Sequence, residues 1–80
     1  MKLPRDISGN NLAKTLSQLG YKISHQTGSH IRLTTHHGGE HHITIPSHDY
    51  LRVGVLNSIL RDIAEHHKMN REDLLNLLFS

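Results

Sequence analysis

The apolar residues of this 80-residue chain change their spacing twice, and that change limits the fold more than any other feature. Leu12, Leu16 and Leu19 recur at helical spacing. Tyr21 with Ile23, Ile31 with Leu33, and Ile43 with Ile45 then alternate with polar residues, which is strand spacing. Val53, Leu56, Ile59, Leu60 and Ile63 return to helical spacing and form one broad face. A period of about 3.6 and a period of two cannot be met by one backbone conformation. The order is therefore helix, strands, helices.

Local signals place the boundaries. Ser8 is an N-cap for a first helix over 9–19, and Gly20 ends it. Thr27-Gly28 and His37-Gly38-Gly39-Glu40 interrupt the alternation as turns, leaving strands near 21–26, 29–36 and 41–46. Pro46 ends the third, because it has no N–H to give to a ladder. A second helix is expected over 53–65. Asn70, with Asp73 three residues on, caps a short third helix carrying Leu74, Leu75, Leu77, Leu78 and Phe79. Its apolar side chains are read as core cover rather than as a docking face, since so short a chain has few to spare. Helices on one face of a three-stranded antiparallel sheet make an α+β sandwich of two layers.

Parity constrains the turns. Residues opposite each other across two strands share a face, so Ile31 or Leu33 can meet Ile43 or Ile45 only if the paired numbers sum to an even value. A two-residue Gly38-Gly39 loop would give an odd sum and set Thr34 against Ile43. A three- or five-residue loop, or a bulge, is expected instead.

Length and composition bound the class. Eighty residues make one domain, 1–80, which buries only about 60% of its unfolded surface. With no cysteine there is neither a disulfide nor a thiolate zinc site. The opening MKLPRDISGNN lacks the apolar run of a signal peptide, and no segment reaches the roughly 20 apolar residues of a membrane span. A soluble, cytoplasmic protein with no membrane partner is expected. Nine Lys and Arg against seven Asp and Glu give +2, so the placement of charge matters more than its total.

If Tyr21, Ile23, Ile31, Leu33, Ile43 and Ile45 face the helices, then Lys22, Ser24, His30, Arg32, Thr34, His42 and Thr44 face solvent. In the register that pairs Ile23 with Ile31, Ser24 lies opposite His30 and Lys22 opposite Arg32. An imidazole beside two fixed cations suits phosphodiester cleavage. In RNA the 2′-OH is an internal nucleophile, so the reaction needs a proton-transfer group near neutral pH and positive charge on the phosphate. A polar sheet face also carries such residues without any function, and alternation alone leaves both readings open.

Two further histidine groups stand out. His36-His37 and His41-His42 flank Gly38-Gly39-Glu40, but adjacent strand residues point to opposite faces, so each pair can offer one ligand to a single metal. An exposed, histidine-rich loop without metal is expected, and no cofactor. His66-His67 is read as a favourable C-terminal charge on the second helix.

Gly28-Ser29-His30, then Ile43-Thr44-Ile45-Pro46-Ser47-His48, then Gly54-Val55-Leu56-Asn57-Ser58-Ile59-Leu60-Arg61, in that order, resemble the HicA toxin family. The resemblance covers nearly the whole chain. It implies a fold similar to double-stranded-RNA-binding domains, α-β-β-β-α, here with a short extra C-terminal helix. It implies an mRNA interferase, a metal-independent endoribonuclease that blocks translation, with His30 of the Gly-Ser-His motif as the catalytic residue. Gly28, Ser29, Lys22 and Arg32 are then the candidate RNA contacts, with His42 or the substrate itself as the second acid or base. The resemblance also implies a HicB-like antitoxin that covers the site and through which alone operator DNA is contacted. A non-catalytic RNA-binding module on the same face, and a protein whose main act is complex formation, are the rival readings, because fold does not fix function.

Overall fold

A computed structural model describes residues 3–4 and 6–80. Helix α1 (Gly9–Thr15) starts where the Asn11 N–H donates to Ser8 Oγ at 3.0 Å. It tightens into a 3₁₀ turn over Leu16–Leu19 and stops at Gly20, whose φ of 81° only glycine adopts freely. The Tyr21 N–H then reaches back to the Leu16 carbonyl, which turns Tyr21 into the core. Strands β1 (Lys22–Gln26), β2 (His30–Thr35) and β3 (His41–Pro46) form one antiparallel sheet in sequence order. Helices α2 (Val53–His67) and α3 (Arg71–Phe79) follow, and α3 starts at Asn70, whose side chain accepts from the Asp73 N–H at 2.8 Å. The architecture is the α+β sandwich that the spacing predicts.

The second hairpin obeys the parity argument. Ile31 pairs with Ile45 and Leu33 with Ile43, and the last pair, Thr35 with His41, leaves a five-residue loop. Gly38 and Gly39 supply its positive φ angles, 70° and 103°. These four apolar residues are buried beneath Leu12, Leu16, Leu56, Leu60 and Ile63. Leu74, Leu75 and Leu78 of α3 join the same core, whereas Leu77, expected to cover it, points away and is exposed. Thr35 is the buried polar exception. Its hydroxyl donates to the Leu19 carbonyl at 2.8 Å and accepts from the His37 N–H, so it seals the end of α1 against the hairpin.

Three expectations need correction. Ile23 pairs with Leu33, not Ile31, and the register shifts between Ile23 and His25. Lys22 therefore lies opposite Thr34, and Arg32 lies opposite His25. Ile23 faces the helix side yet stays 53% exposed, because β1 is an edge strand at the margin of the helical layer. Val53 is also exposed, since α2 enters the core only from Leu56.

His66 and His67 act differently from a simple helix-end charge. The His41 Nε2–H donates to Asp62 at 3.1 Å, which leaves His41 Nδ1 to accept from the Tyr21 hydroxyl at 2.7 Å. The Tyr21 oxygen in turn accepts from His67 Nε2–H at 3.1 Å. His66 stacks on His41 with ring centroids 4.3 Å apart and donates to the carbonyls of His37 and Gly39. This latch joins the second hairpin to the C-terminal end of α2. Burial, then the Asp62 carboxylate, pushes the Tyr21 hydroxyl up to about 12, so it stays a donor. Burial, with smaller contributions from His66, His41 and His37, holds His67 below its usual 6.5.

Two outcomes follow from this packing. A Cβ on Gly9 would lie 2.0 Å from the Pro46 carbonyl oxygen, a backbone atom that cannot swing aside. Gly9→Ala should cost about 1–3 kcal/mol in urea unfolding, as overpacking does; an unchanged midpoint would show that the backbones can separate freely. His67 binds its proton less readily folded than unfolded, so its contribution is complete above about pH 6.5 and declines as pH falls through that value. Thermal unfolding should show a smaller loss between pH 7.5 and 5 in His67→Gln than in wild type. An equal loss would remove His67 from the latch.

Candidate active site

The first hairpin turn is built to present His30. The Thr27 N–H donates to the His30 carbonyl at 2.9 Å, which closes a two-residue Gly28-Ser29 turn. The Thr27 hydroxyl oxygen accepts from the Ser29 and His30 N–H groups at 3.3 and 3.1 Å, the kind of local bond that favours threonine in turns. Nothing lies within 4 Å of a Cβ added to Gly28, so that edge of the turn is open. Ser29 Oγ sits 3.0 Å from His30 Nδ1, which orients the ring. In the tautomer whose Nδ1–H donates to Ser29, the Nε2 lone pair is free to accept a proton.

A neighbouring strand holds this turn in place. The Ser47 N–H donates to the Ser29 carbonyl at 3.0 Å, and the Ser47 hydroxyl donates to the Gly28 carbonyl at 2.8 Å. Ser47 was not singled out by chemistry, because its role depends on where β3 ends. The pairing of His30 with Pro46 is what brings it beside the turn. The chain beyond is pinned in turn to the start of α1, by Gly9 N–H to the His48 carbonyl and Leu51 N–H to the Ile7 carbonyl.

His30 is exposed and opens on a shallow groove shared with Thr44, Pro46, Gly54, Val55, Ser58 and Ile59. The groove lies between the open sheet face and the first turns of α2. Val55 also borders a second hollow formed by residues 47–52, from which Tyr50 projects 63% exposed. Arg32 is exposed two residues beyond His30 on the same face, opposite Thr44, and forms no ion pair among the described residues. His30, Ser29, Gly28 and Arg32 are thus brought together. Lys22 is not, since the register leaves it about four residues from the His30 row, roughly 13 Å along the strand.

His42 and His41 have partners of their own, away from His30. His42 lies 3.0 Å from Glu40 and 2.7 Å from Thr34 Oγ1, on the open face toward the far end of the sheet. Its hydrogen bond, followed by its charge, holds the Glu40 carboxyl below the usual range. His41 faces the opposite way, into the latch. Among the described residues no group of three or more His, Asp or Glu is disposed to hold a metal ion. Nor, among them, is any helix long and apolar enough to cross a membrane.

A family model described as the HicA toxin of bacterial toxin-antitoxin matches residues 9–64, from the first residue of α1 into the last turns of α2. The chain belongs to that family of toxins, each of which is countered by an antitoxin. No curated protein and no solved structure matches it. The matched span contains the Gly28-Ser29-His30 turn, Ser47 and the groove, and ends before α3.

Ser47→Ala removes the bond to the Gly28 carbonyl but keeps the backbone bond to Ser29. The cost to stability should stay within about 1 kcal/mol, because the lost bond is exposed. Amide hydrogen exchange at Ser29 and His30 should quicken by several-fold while Ile43 is unaffected. Unchanged exchange at His30 would mean that Ser47 does not hold the turn.

Proposed function

We propose that this HicA family member is an mRNA interferase, a metal-independent endoribonuclease that cuts mRNA in the cytoplasm, stops translation and is neutralised by a HicB-like antitoxin. The observation that carries the reading is His30 itself. Its ring is exposed at the mouth of a groove, oriented through Nδ1 by Ser29, with the exposed Arg32 guanidinium two residues away. An RNA strand in the groove supplies its own nucleophile. His30 Nε2 accepts the 2′-OH proton as that oxygen attacks the adjacent phosphorus, and Arg32 steadies the charge that develops on the phosphoryl oxygens. Because the attacking oxygen belongs to the substrate, no water needs activation, and the chemistry asks for no metal. Gly28 and Ser29 leave room for the RNA backbone to approach the turn.

Lys22 fits a contact to a more distant phosphate of the same strand rather than to the one that is cut. An antitoxin seated on the open sheet face would cover His30 and Arg32 together.

Expression of His30→Ala should leave growth unaffected where wild type arrests it. In EDTA, the purified variant should cleave RNA at least about 100-fold more slowly, with RNA affinity within a few-fold of wild type. Undiminished cutting by the alanine variant would remove His30 from the chemistry. A wild-type protein that binds RNA without cutting it would favour a binding module instead.

A further inference from the structure

One histidine holds one proton at a time, yet in-line cleavage moves two. A base must take the proton from the attacking 2′-oxygen, and an acid must give one to the departing 5′-oxygen on the far side of phosphorus. The register of the first hairpin brings a second imidazole onto the face that carries His30. Thr27 closes the turn on His30, Gln26 pairs with Ile31, and His25 pairs with Arg32. The shift then absorbs Ser24, and Ile23 pairs with Leu33. Ser24 lies on the open face, since its hydroxyl oxygen accepts from Thr34 Oγ1 at 3.1 Å. His25 shares that face because it stands opposite exposed Arg32. Two consecutive residues on one side are what a β-bulge permits and regular alternation forbids.

We propose that His25 is the second proton-transfer group, working across the scissile phosphate from His30; the proposal rests on the ribonuclease reading above. His25 and His30 are diagonal neighbours on one face, with backbone positions roughly 7–8 Å apart. At that separation two imidazoles bracket one phosphoryl group, each within about 3 Å of its own oxygen. Arg32 stands opposite His25 and two residues from His30, placed to meet the non-bridging oxygens. His30 takes the proton from the 2′-OH as the O2′–P bond forms. The P–O5′ bond breaks, and O5′ takes a proton from the His25 imidazolium. The products are a 2′,3′-cyclic phosphate and a 5′-hydroxyl, with nothing else consumed. The two imidazoles then hold each other's starting protonation states, which exchange with solvent resets.

Among the described residues β1 pairs only with β2, so the charged and titratable groups there that face His25 are Arg32 opposite, His30 on the diagonal and Lys22 along its own strand. His25→Gln and His25→Arg separate proton transfer from charge. A long transcript offering many sequence contexts serves as the substrate, with rates measured from pH 5 to 9 and product ends analysed. Wild type should show a bell-shaped profile and cyclic phosphate ends. His25→Gln should fall by about 100-fold and lose the alkaline limb, which belongs to the acid, while keeping the acidic limb set by His30. His25→Arg, which retains the charge, should not recover the rate. A His25→Arg variant near wild-type activity overturns the proposal, because a cation alone then suffices. So does a His25→Gln variant with both limbs intact. If His30→Ala is inactive while His25→Gln cuts normally, the ribonuclease reading stands and this one falls. A wild-type protein that cuts no RNA removes both.

Discussion

Burial of one face of the sheet against helices governs the rest of the molecule. Ile31 and Leu33 of the central strand are almost fully buried, so every strand paired with β2 must keep its apolar residues on that side. A slip of one residue would expose the whole set. The Gly28-Ser29 turn closes Thr27 on His30, which alone would set Ile23 against Thr34. The extra residue at the bulge restores Ile23 to Leu33. The turn geometry and the core demand different registers, and β1 reconciles them by bulging where, as an edge strand, it has only one neighbour to satisfy. The composition of the open face, His25 included, follows from that reconciliation.

The same packing gives the His30 turn its rigidity. Exposed turns are ordinarily mobile, because few contacts oppose their opening. Here the Gly28-Ser29 carbonyls are bonded to Ser47, and the segment after Ser47 is bonded to the start of α1 through His48 and Leu51. Gly9 lets the two backbones touch, since any side chain there would strike Pro46. The position of His30 is therefore set by the contact between α1 and the end of β3, some distance in sequence from the turn itself. A site placed by elements in this way holds its geometry better than one carried by a free loop.

Much of this was legible in the residues. The helix caps at Ser8 and Asn70, the stop at Gly20, the three strands and the five-residue second loop all follow from local chemistry and parity. The first register did not, although the same parity argument applied to Thr27-Gly28 would have exposed the conflict. A bulge is the cheapest resolution, but parity does not say which residue is absorbed. Ile23 and Val53 show a different limit, since periodicity tells which way a side chain points and not whether anything covers it. Within the site, the motif marked Gly28, Ser29 and His30. Ser47 stood in a motif without a role and His25 was unmarked, because each matters only through the residue it meets on another strand.

The histidines show why residue counts say little about chemistry. Nine imidazoles in one short chain invite a single explanation, such as metal binding. Their surroundings divide them instead. At the loop end of β2, His41, His66 and His67 are packed against Tyr21 and one another, and His67 is held toward its neutral form. At the other end, roughly 17 Å away along the six residues of β2, His25 and His30 are exposed beside Arg32. A structural histidine must keep one protonation state while the protein stays folded, whereas a proton-transfer histidine must visit both. Burial serves the first and exposure the second. Placing the two groups at opposite ends of one strand keeps the packing of the latch apart from the groove.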